Sequence, residues 1–321
     1  MKEIFDKGIL HIIPDKLGNF LVTSEVDSEV FLLSNDYDIK QIETYNKASY
    51  VYRYDIDSIF VPSMYYRAVG YKKKVMTKYK TKIDLLEGNR MVACNKENIY
   101  YFNQLSGANA KLWKLNFASG VNEEIKLDIP KRKNRKIRYT YISIYKDELI
   151  IFYYYFGEQE LCFDDMFMRV YKIVDNTYEL LNEKFLDTGV RGVYDDYGEE
   201  ADRKVLLFEK VISENGRIRI RGEYLAILNN EKDVTKIFNI PDEKGNGLVS
   251  YAISFEKGLV VLLWKHKVGV FNLDTGECKC DLTQLLKKKN YFTCVRFHKD
   301  KLLVASDMGL FELEEKEYWF W

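Results

Sequence analysis

The chain is short of the residues that announce a chemistry. It has three histidines in 321 residues, His11, His266 and His298, in three separate segments, so neither an HxH pair nor an HExxH helix exists. Its five cysteines include one close pair, Cys278 and Cys280, with Cys94, Cys162 and Cys294 scattered elsewhere; a tetrahedral zinc site needs two close pairs, and buried or edge thiols are the expectation. An odd cysteine count suits a reducing compartment, and the expected location is the cytoplasm. Proline occurs four times, and no segment carries convincing helix caps; the best helical stretch, 281–289, is one or two turns. No apolar run approaches the roughly 18 residues of a membrane span, and the first 14 residues lack a cleavage signature. Lys plus Arg and Asp plus Glu number 49 each, so the formal charge is zero, which argues against a surface tuned as a whole for nucleic acid or anionic membrane.

What is present is a rhythm. Short apolar runs recur at 20–23 (FLVT), 59–61 (IFV), 99–102 (IYYF), 149–152 (LIIF), 205–208 (VLLF), 259–262 (LVVL) and 302–305 (LLVA). Val, Ile, Tyr and Phe cluster around them in stretches bounded by Gly, Asn and Asp, the pattern of strands and hairpins. A repeat that cannot bury its own faces stacks on its neighbours, and seven copies predict an all-β, seven-bladed β-propeller of four-stranded antiparallel blades in a single domain, with six and eight blades as the neighbouring counts. The clearest unit reads as strands over 248–255, 259–264, 268–273 and 278–282. The apolar run is the second strand, enclosed on both faces, and the polar fourth strand is the rim. Units four and seven take the same register, the latter with His298 in an exposed hairpin turn and ending on 318–321 as its fourth strand. Residues 1–14 compete for that outer position or begin the first blade, and pairing the first and last segments would protect the ring's edge.

The copies begin 39 to 56 residues apart, and the long intervals predict two insertions. One, 157–165, joins the second and third strands of unit four; the other, 195–202, joins the first and second strands of unit five. Loops on rigid scaffolds are where binding concentrates.

Two segments, 112–120 (LWKLNFASG) and 270–277 (VFNLDTGE), resemble the third-strand turn of quinoprotein-like and YVTN-type propeller repeats. Asn or Asp there bonds its own backbone two residues on, and Gly takes positive φ. The resemblance implies the fold. Quinoprotein enzymes would add a tryptophan floor and a calcium site.

The run 131–138 places Lys131, Arg132, Lys133, Arg135, Lys136 and Arg138 in the connector between units three and four. It would grip an anionic partner electrostatically, or stand as a solvated connector paired with Asp164 and Asp165. The acidic group Asp195, Asp196, Glu199, Glu200 and Asp202 offers oxygen ligands of the kind calcium takes, without the spacing of a calcium loop, so no cofactor is expected and calcium is the one cation to consider. Arg217, Arg219 and Arg221 alternate with Ile218 and Ile220 and share one strand face. No nucleophile elbow, P-loop or dinucleotide turn occurs. The expectation is a non-enzymatic binding or scaffold propeller that recognises a protein, or a charged glycan, through loops of blades three to five, without nucleic acid or membrane as partner. The alternatives are a propeller lyase, hydrolase or quinoprotein-like enzyme with an axial site, and a polyanion or nucleic-acid binder acting through 131–138.

Overall fold

The computed structural model describes residues 2–318 except 10, 15–19, 24–28, 35, 45–49, 56–57, 61–76, 81–91, 96, 104–109, 146, 158–162, 175–176, 189, 196–203, 215–216, 244–246, 285–290 and 299. The described chain is almost entirely strand, in seven small sheets of antiparallel neighbours.

Strand β1 (Lys2–Phe5) stands apart from the strands that follow it. The first complete sheet is β2 (His11–Pro14), β3 (Phe20–Thr23), β4 (Glu29–Leu33) and β5 (Ile39–Thr44), in that spatial order. Three strands, β6 (Tyr50–Asp55), β7 (Ser58–Phe60) and β8 (Thr77–Lys80), form the second with β6 at the centre. The third comprises β9 (Val92–Cys94), β10 (Asn98–Phe102), β11 (Leu112–Asn116) and β12 (Asn122–Ile125). The fourth comprises β13 (Lys136–Tyr145), β14 (Glu148–Phe156), β15 (Phe163–Val174) and β16 (Thr177–Thr188). In the fifth are β17 (Val190–Asp195), β18 (Lys204–Glu214), β19 (Arg217–Leu228) and β20 (Val234–Ile240); in the sixth, β21 (Leu248–Ser254), β22 (Leu259–Trp264), β23 (Lys267–Asn272) and β24 (Cys278–Asp281). The last sheet is β25 (Phe292–His298), β26 (Lys301–Ser306) and β27 (Gly309–Leu313), completed by β1 on the outer side of β27.

Six of the seven apolar runs are second strands, as the sequence pattern predicts. The run at 59–61 differs: Ile59 and Phe60 lie in β7 at the edge of its sheet, and Val61 lies outside the described residues. The second strands β10, β14, β22 and β26 are buried along almost their whole length, every residue of β22 among them, whereas outer β24 is mostly exposed. Each fully buried aliphatic side chain contributes about 1.5–3 kcal/mol of transfer free energy, which makes these strands the source of cohesion. The core lies between facing sheets: Phe102, Leu112, Ile151 and Tyr153 join the third to the fourth, and Val261, Val270, Val295 and Val304 join the sixth to the last.

The expected turn chemistry is present. Asn116 Oδ1 accepts from the amides of Ala118 and Ser119, and Asn272 Oδ1 from those of Asp274 and Thr275, while Gly120 (φ 69°) and Gly276 (φ 72°) close the two hairpins identically. First strands share another device. One extra residue bulges from β13 at Thr140, from β21 at Val249 and from β25 at Thr293, interrupting an edge that would otherwise template pairing with another chain.

Two expectations about segments are corrected. Within the expected insertions, Phe163 to Asp165 are strand in β15 and Asp195 ends β17, while 158–162 and 196–202 lie outside the described residues; β15, β16 and β19 have 12 residues each and take up part of the long intervals as ladder. The terminal segment 318–321 is not the fourth strand of the last sheet. β1 already occupies the edge of β27, so the chain turns into helix α1 (Glu315–Tyr318), which buries Tyr318 against Phe297; Trp319 to Trp321 lie outside the described residues. Of the helical stretch at 281–289, a 3-10 turn at Leu282–Gln284 is described.

The chain divides into two compact units, one of residues 1–45, 195–207 and 222–321, the other of residues 46–194 and 208–221. No helix among the described residues is long and apolar enough to cross a membrane.

Candidate functional site

The connector from β12 to β13 lies across the third and fourth sheets. Leu127 and Ile129 alternate inward onto the core the two sheets share. Between them Asp128 is fastened by both of its oxygens: Arg169 Nη1 donates to its carbonyl and to its carboxylate, each at 3.1 Å, and Tyr171 Oη donates to the carboxylate at 3.0 Å. Tyr155 Oη donates to the Pro130 carbonyl at 2.7 Å. The Arg132 guanidinium then lies 4.1 Å from the centre of the Tyr155 ring and 5.3 Å from that of Phe167, a cation over aromatic faces. Asn134 takes the left-handed conformation (φ 57°) that asparagine tolerates, and the Arg135 amide bonds the Arg132 carbonyl, closing a tight turn. The Arg135 guanidinium lies against Gly157, where a Cβ would sit 2.8 Å from Nη1.

The basic run therefore divides by role. Arg132 and Arg135 fold back onto the fourth sheet. Lys136 and Arg138, expected in the connector, already belong to β13, opposite Phe156 and Tyr154. The side chains of Lys131, Lys133, Lys136 and Arg138 make no hydrogen bond, ion pair or ring contact with any described residue, and the three lysines are exposed. Asp164 and Asp165, expected in a loop beside them, instead begin β15, where Asp165 stands opposite Thr188. The ion pair that ties the connector down has the opposite sense, with the acid, Asp128, on the connector and the cation, Arg169, in the sheet.

Behind the connector is a network that the sequence pattern did not single out. Arg169, 4% exposed on β15, pairs through Nε with Glu183 on β16, and Tyr153 Oη donates to the same carboxylate at 2.9 Å. Burial, and the hydrogen bond to Glu183, push the Tyr153 hydroxyl well above its ordinary pKa. Burial works against the Arg169 charge, but the bonds to Tyr171 and Glu183 outweigh it and hold the guanidinium protonated. The one sequence signal was an arginine opposite a glutamate across neighbouring strands, which becomes legible only once the register Arg169↔Glu183 is known.

The remaining candidates lie apart from this cluster. Asp195 ends β17, while Asp196, Glu199, Glu200 and Asp202 fall outside the described residues; among the described residues no group of three His, Cys, Asp or Glu stands close enough to hold a metal. Arg217, Arg219 and Arg221 fall in β19, the third strand of its sheet, ahead of the segment that pairs with β20 from Glu223 onward. Cys278 and Cys280 are free thiols on outer strand β24, the latter pushed up by burial. His266 is exposed in the turn after β22, beside the Tyr291 ring at 5.4 Å. His298, expected in an exposed turn, instead closes β25, half-buried edge-on against Phe20 at 4.5 Å. A second buried cation, Arg296 on β25, donates to the Tyr251 carbonyl (3.1 Å) and Ser250 Oγ (3.4 Å) of β21, fastening two first strands together.

This architecture has solved counterparts. A streptogramin B lyase superimposes with a TM-score of 0.54 at 15% identity, covering 97% of this chain and 96% of that one. A catalytically inactive variant of virginiamycin B lyase from Staphylococcus aureus, solved with quinupristin, gives 0.55 at 12% identity over 96% and 94% of the two chains. Hsv2 of Kluyveromyces lactis gives 0.52 at 10% identity over 94% and 90%. The fold is a β-propeller. At these identities the likeness carries the fold alone, and a lyase stands among the counterparts without lending its activity. No protein-family profile and no curated protein sequence matches the chain.

Proposed function

We propose that the chain is a recognition module, a propeller of seven blades whose 131–138 connector is a cationic ledge for an acidic protein surface. Seven sheets among the described residues, together with seven apolar runs, support the blade count. One observation carries the functional reading: Arg132 and Arg135 are spent on holding the turn in shape, which leaves Lys131, Lys133 and Lys136 exposed on a fixed backbone. A charge held in place on a rigid support binds with less ordering cost than one on a free loop. Complementary charge of this kind governs encounter and specificity, and is screened over about 8 Å at physiological salt.

The test is binding of a fluorescent Glu/Asp-rich peptide by anisotropy, across a salt series, to the protein and to its Lys131→Ala/Lys133→Ala/Lys136→Ala variant. The variant should bind at least tenfold more weakly with an unchanged melting temperature, because the lost side chains make no hydrogen bond, ion pair or ring contact with a described residue. Equal affinity of the two proteins would sink the reading. Tighter capture of a sulfated oligosaccharide or of duplex DNA than of the peptide would also overturn it, in favour of a glycan or nucleic-acid ligand.

A further inference from the structure

Resting on that reading, we infer that the acidic partner engages through an aromatic side chain, seated on Phe185, which Phe167 joins to Arg132. Phe185 is 56% exposed on β16, one of the largest apolar side chains the described surface presents. It meets Phe167 edge-on at 6.2 Å, and Phe167 in turn stacks on Tyr153 at 5.8 Å and lies beneath the Arg132 guanidinium. A continuous path of ring faces and edges therefore leads from the surface to the turn that carries the lysines. A further ring added at Phe185 would extend this path in the edge-to-face or offset geometry aromatic pairs prefer, and would gain beyond its buried area.

The electrostatics of the same patch select the partner's charge. Both acidic side chains flanking Phe185 on β16 already have cations: Glu183 has Arg169, and Asp187 has Lys210 at 2.9 Å. Arg169 is shared with Asp128 of the connector, so two cations stand against three carboxylates here, whereas the side chains of Arg132's neighbours Lys131 and Lys133, and of Lys136 at the start of β13, make no ion pair with any described residue. The patch therefore presents an apolar ring next to uncompensated positive charge, the complement of a segment in which carboxylates flank a Phe, Tyr or Trp.

The strand's own geometry sets the mode of docking. The ladder between β15 and β16 shifts register twice, leaving Leu181 and Leu186 as extra residues, so the outer edge of β16 is broken on both sides of Phe185. Interrupted edges resist strand addition, and the segment docks by its side chains.

Three labelled 12-residue peptides test this against the protein and its Phe185→Ala variant: an Asp/Glu-rich peptide with one central Phe, the same peptide with Ala at that place, and an uncharged peptide with the Phe. With the native protein, the acidic Phe peptide should bind at least fivefold tighter than its Ala counterpart. Phe185→Ala should remove that advantage while leaving the Ala peptide's affinity unchanged. Its melting temperature should stay within about 2 °C, since the deleted ring is mostly in solvent. If both acidic peptides bind the native protein equally, or the Phe advantage survives in Phe185→Ala, the aromatic seat is refuted while the cationic ledge stands. If neither acidic peptide binds, the ledge itself fails. A benzophenone amino acid at the central position should crosslink to β15 or β16; labelling confined to other strands overturns the placement even where affinities agree.

Discussion

Arg169 is where stability and the position of the connector meet, and its worth can be worked from its contacts. The guanidinium is almost wholly enclosed and makes two charge-assisted contacts, to Glu183 and to the Asp128 carboxylate, as well as donating to the Asp128 carbonyl and Tyr171 Oη. Arg169→Met keeps the apolar stem and removes the charge. Breaking a fully buried pair costs about 3–5 kcal/mol, but the two carboxylates lie toward the rim, where water can resolvate them, 36% exposed for Glu183 and 64% for Asp128. The expected loss is therefore nearer about 2–3 kcal/mol, from bonds to charged groups worth about 1.5–3 kcal/mol each before resolvation. Glu183→Gln retains an acceptor for Tyr153 and leaves the guanidinium to Asp128 alone, at a cost of about 1–2 kcal/mol by the same scale. If the pair acts as a unit, the double variant should be less destabilised than the sum of the single variants by about 1–2 kcal/mol. Urea unfolding of the four proteins, followed by tryptophan fluorescence and compared only where the denaturant slopes agree, measures the coupling. A coupling within about 0.5 kcal/mol of zero would refute the argument, because the pair would then be solvated and the connector held by its apolar residues alone.

Two further outcomes follow from the closing sheet. Gly309 has φ 153°, and a Cβ there would fall 2.4 Å from the Phe5 carbonyl, so Gly309→Ala should cost about 1–3 kcal/mol and free β1; limited proteolysis should then remove the first residues faster than in the native protein, and equal rates would refute it. Burial alone would raise the Glu312 carboxyl, but bonds from Lys301 and Tyr37, with the Lys301 and Lys2 charges, hold it below the ordinary 4.5. The native state thus binds fewer protons here than the unfolded chain, and the stabilisation is present above about pH 4.5 and lost as pH falls through the lowered value. Glu312→Gln should flatten the acid limb of melting temperature against pH between about 3 and 5; an unchanged slope would show that other carboxylates govern it.

The sheet of β21 to β24 was legible almost to the residue because everything that bounds it is local. The LVVLLW run, Gly258 (φ 61°) and the Asn272 to Gly276 turn are set by neighbours in sequence. Hairpins without glycine were harder. Tyr37 (φ 65°) and Lys232 (φ 64°) take the left-handed conformation themselves, in turns whose remaining signal is a side-chain acceptor at the first position, Ser34 or Asn229. Strand length was not legible, since the polar residues of β15 and β16 gain a reason to be extended only from the ladder they join. The basic run spans the end of the connector and the start of β13, where Lys136 and Arg138 lie, and the division between Arg132 and its exposed lysines depends on Tyr155 and Phe167, more than 20 positions away. Arg169, Arg296 and His298 were missed or misplaced for the same reason: each is defined by a partner on another strand.

The strand that completes the last sheet is synthesised long before the edge it covers. Phe5 and its partner Leu310 are separated by about 300 positions. At elongation rates of roughly 5–20 residues per second, β1 waits on the order of 15–60 seconds for the edge it will cover. Throughout that interval the apolar face of Phe5 is open to other chains, and the edge of β27 joins it from its emergence until β1 docks. Loop-closure entropy makes this final pairing the slowest kind of contact to find. The interval before β1 docks is thus the period in which a nascent chain is most exposed to exchanging this strand with a second copy, and the charged Lys2 and Glu3 on an otherwise short strand are what the sequence sets against that exchange.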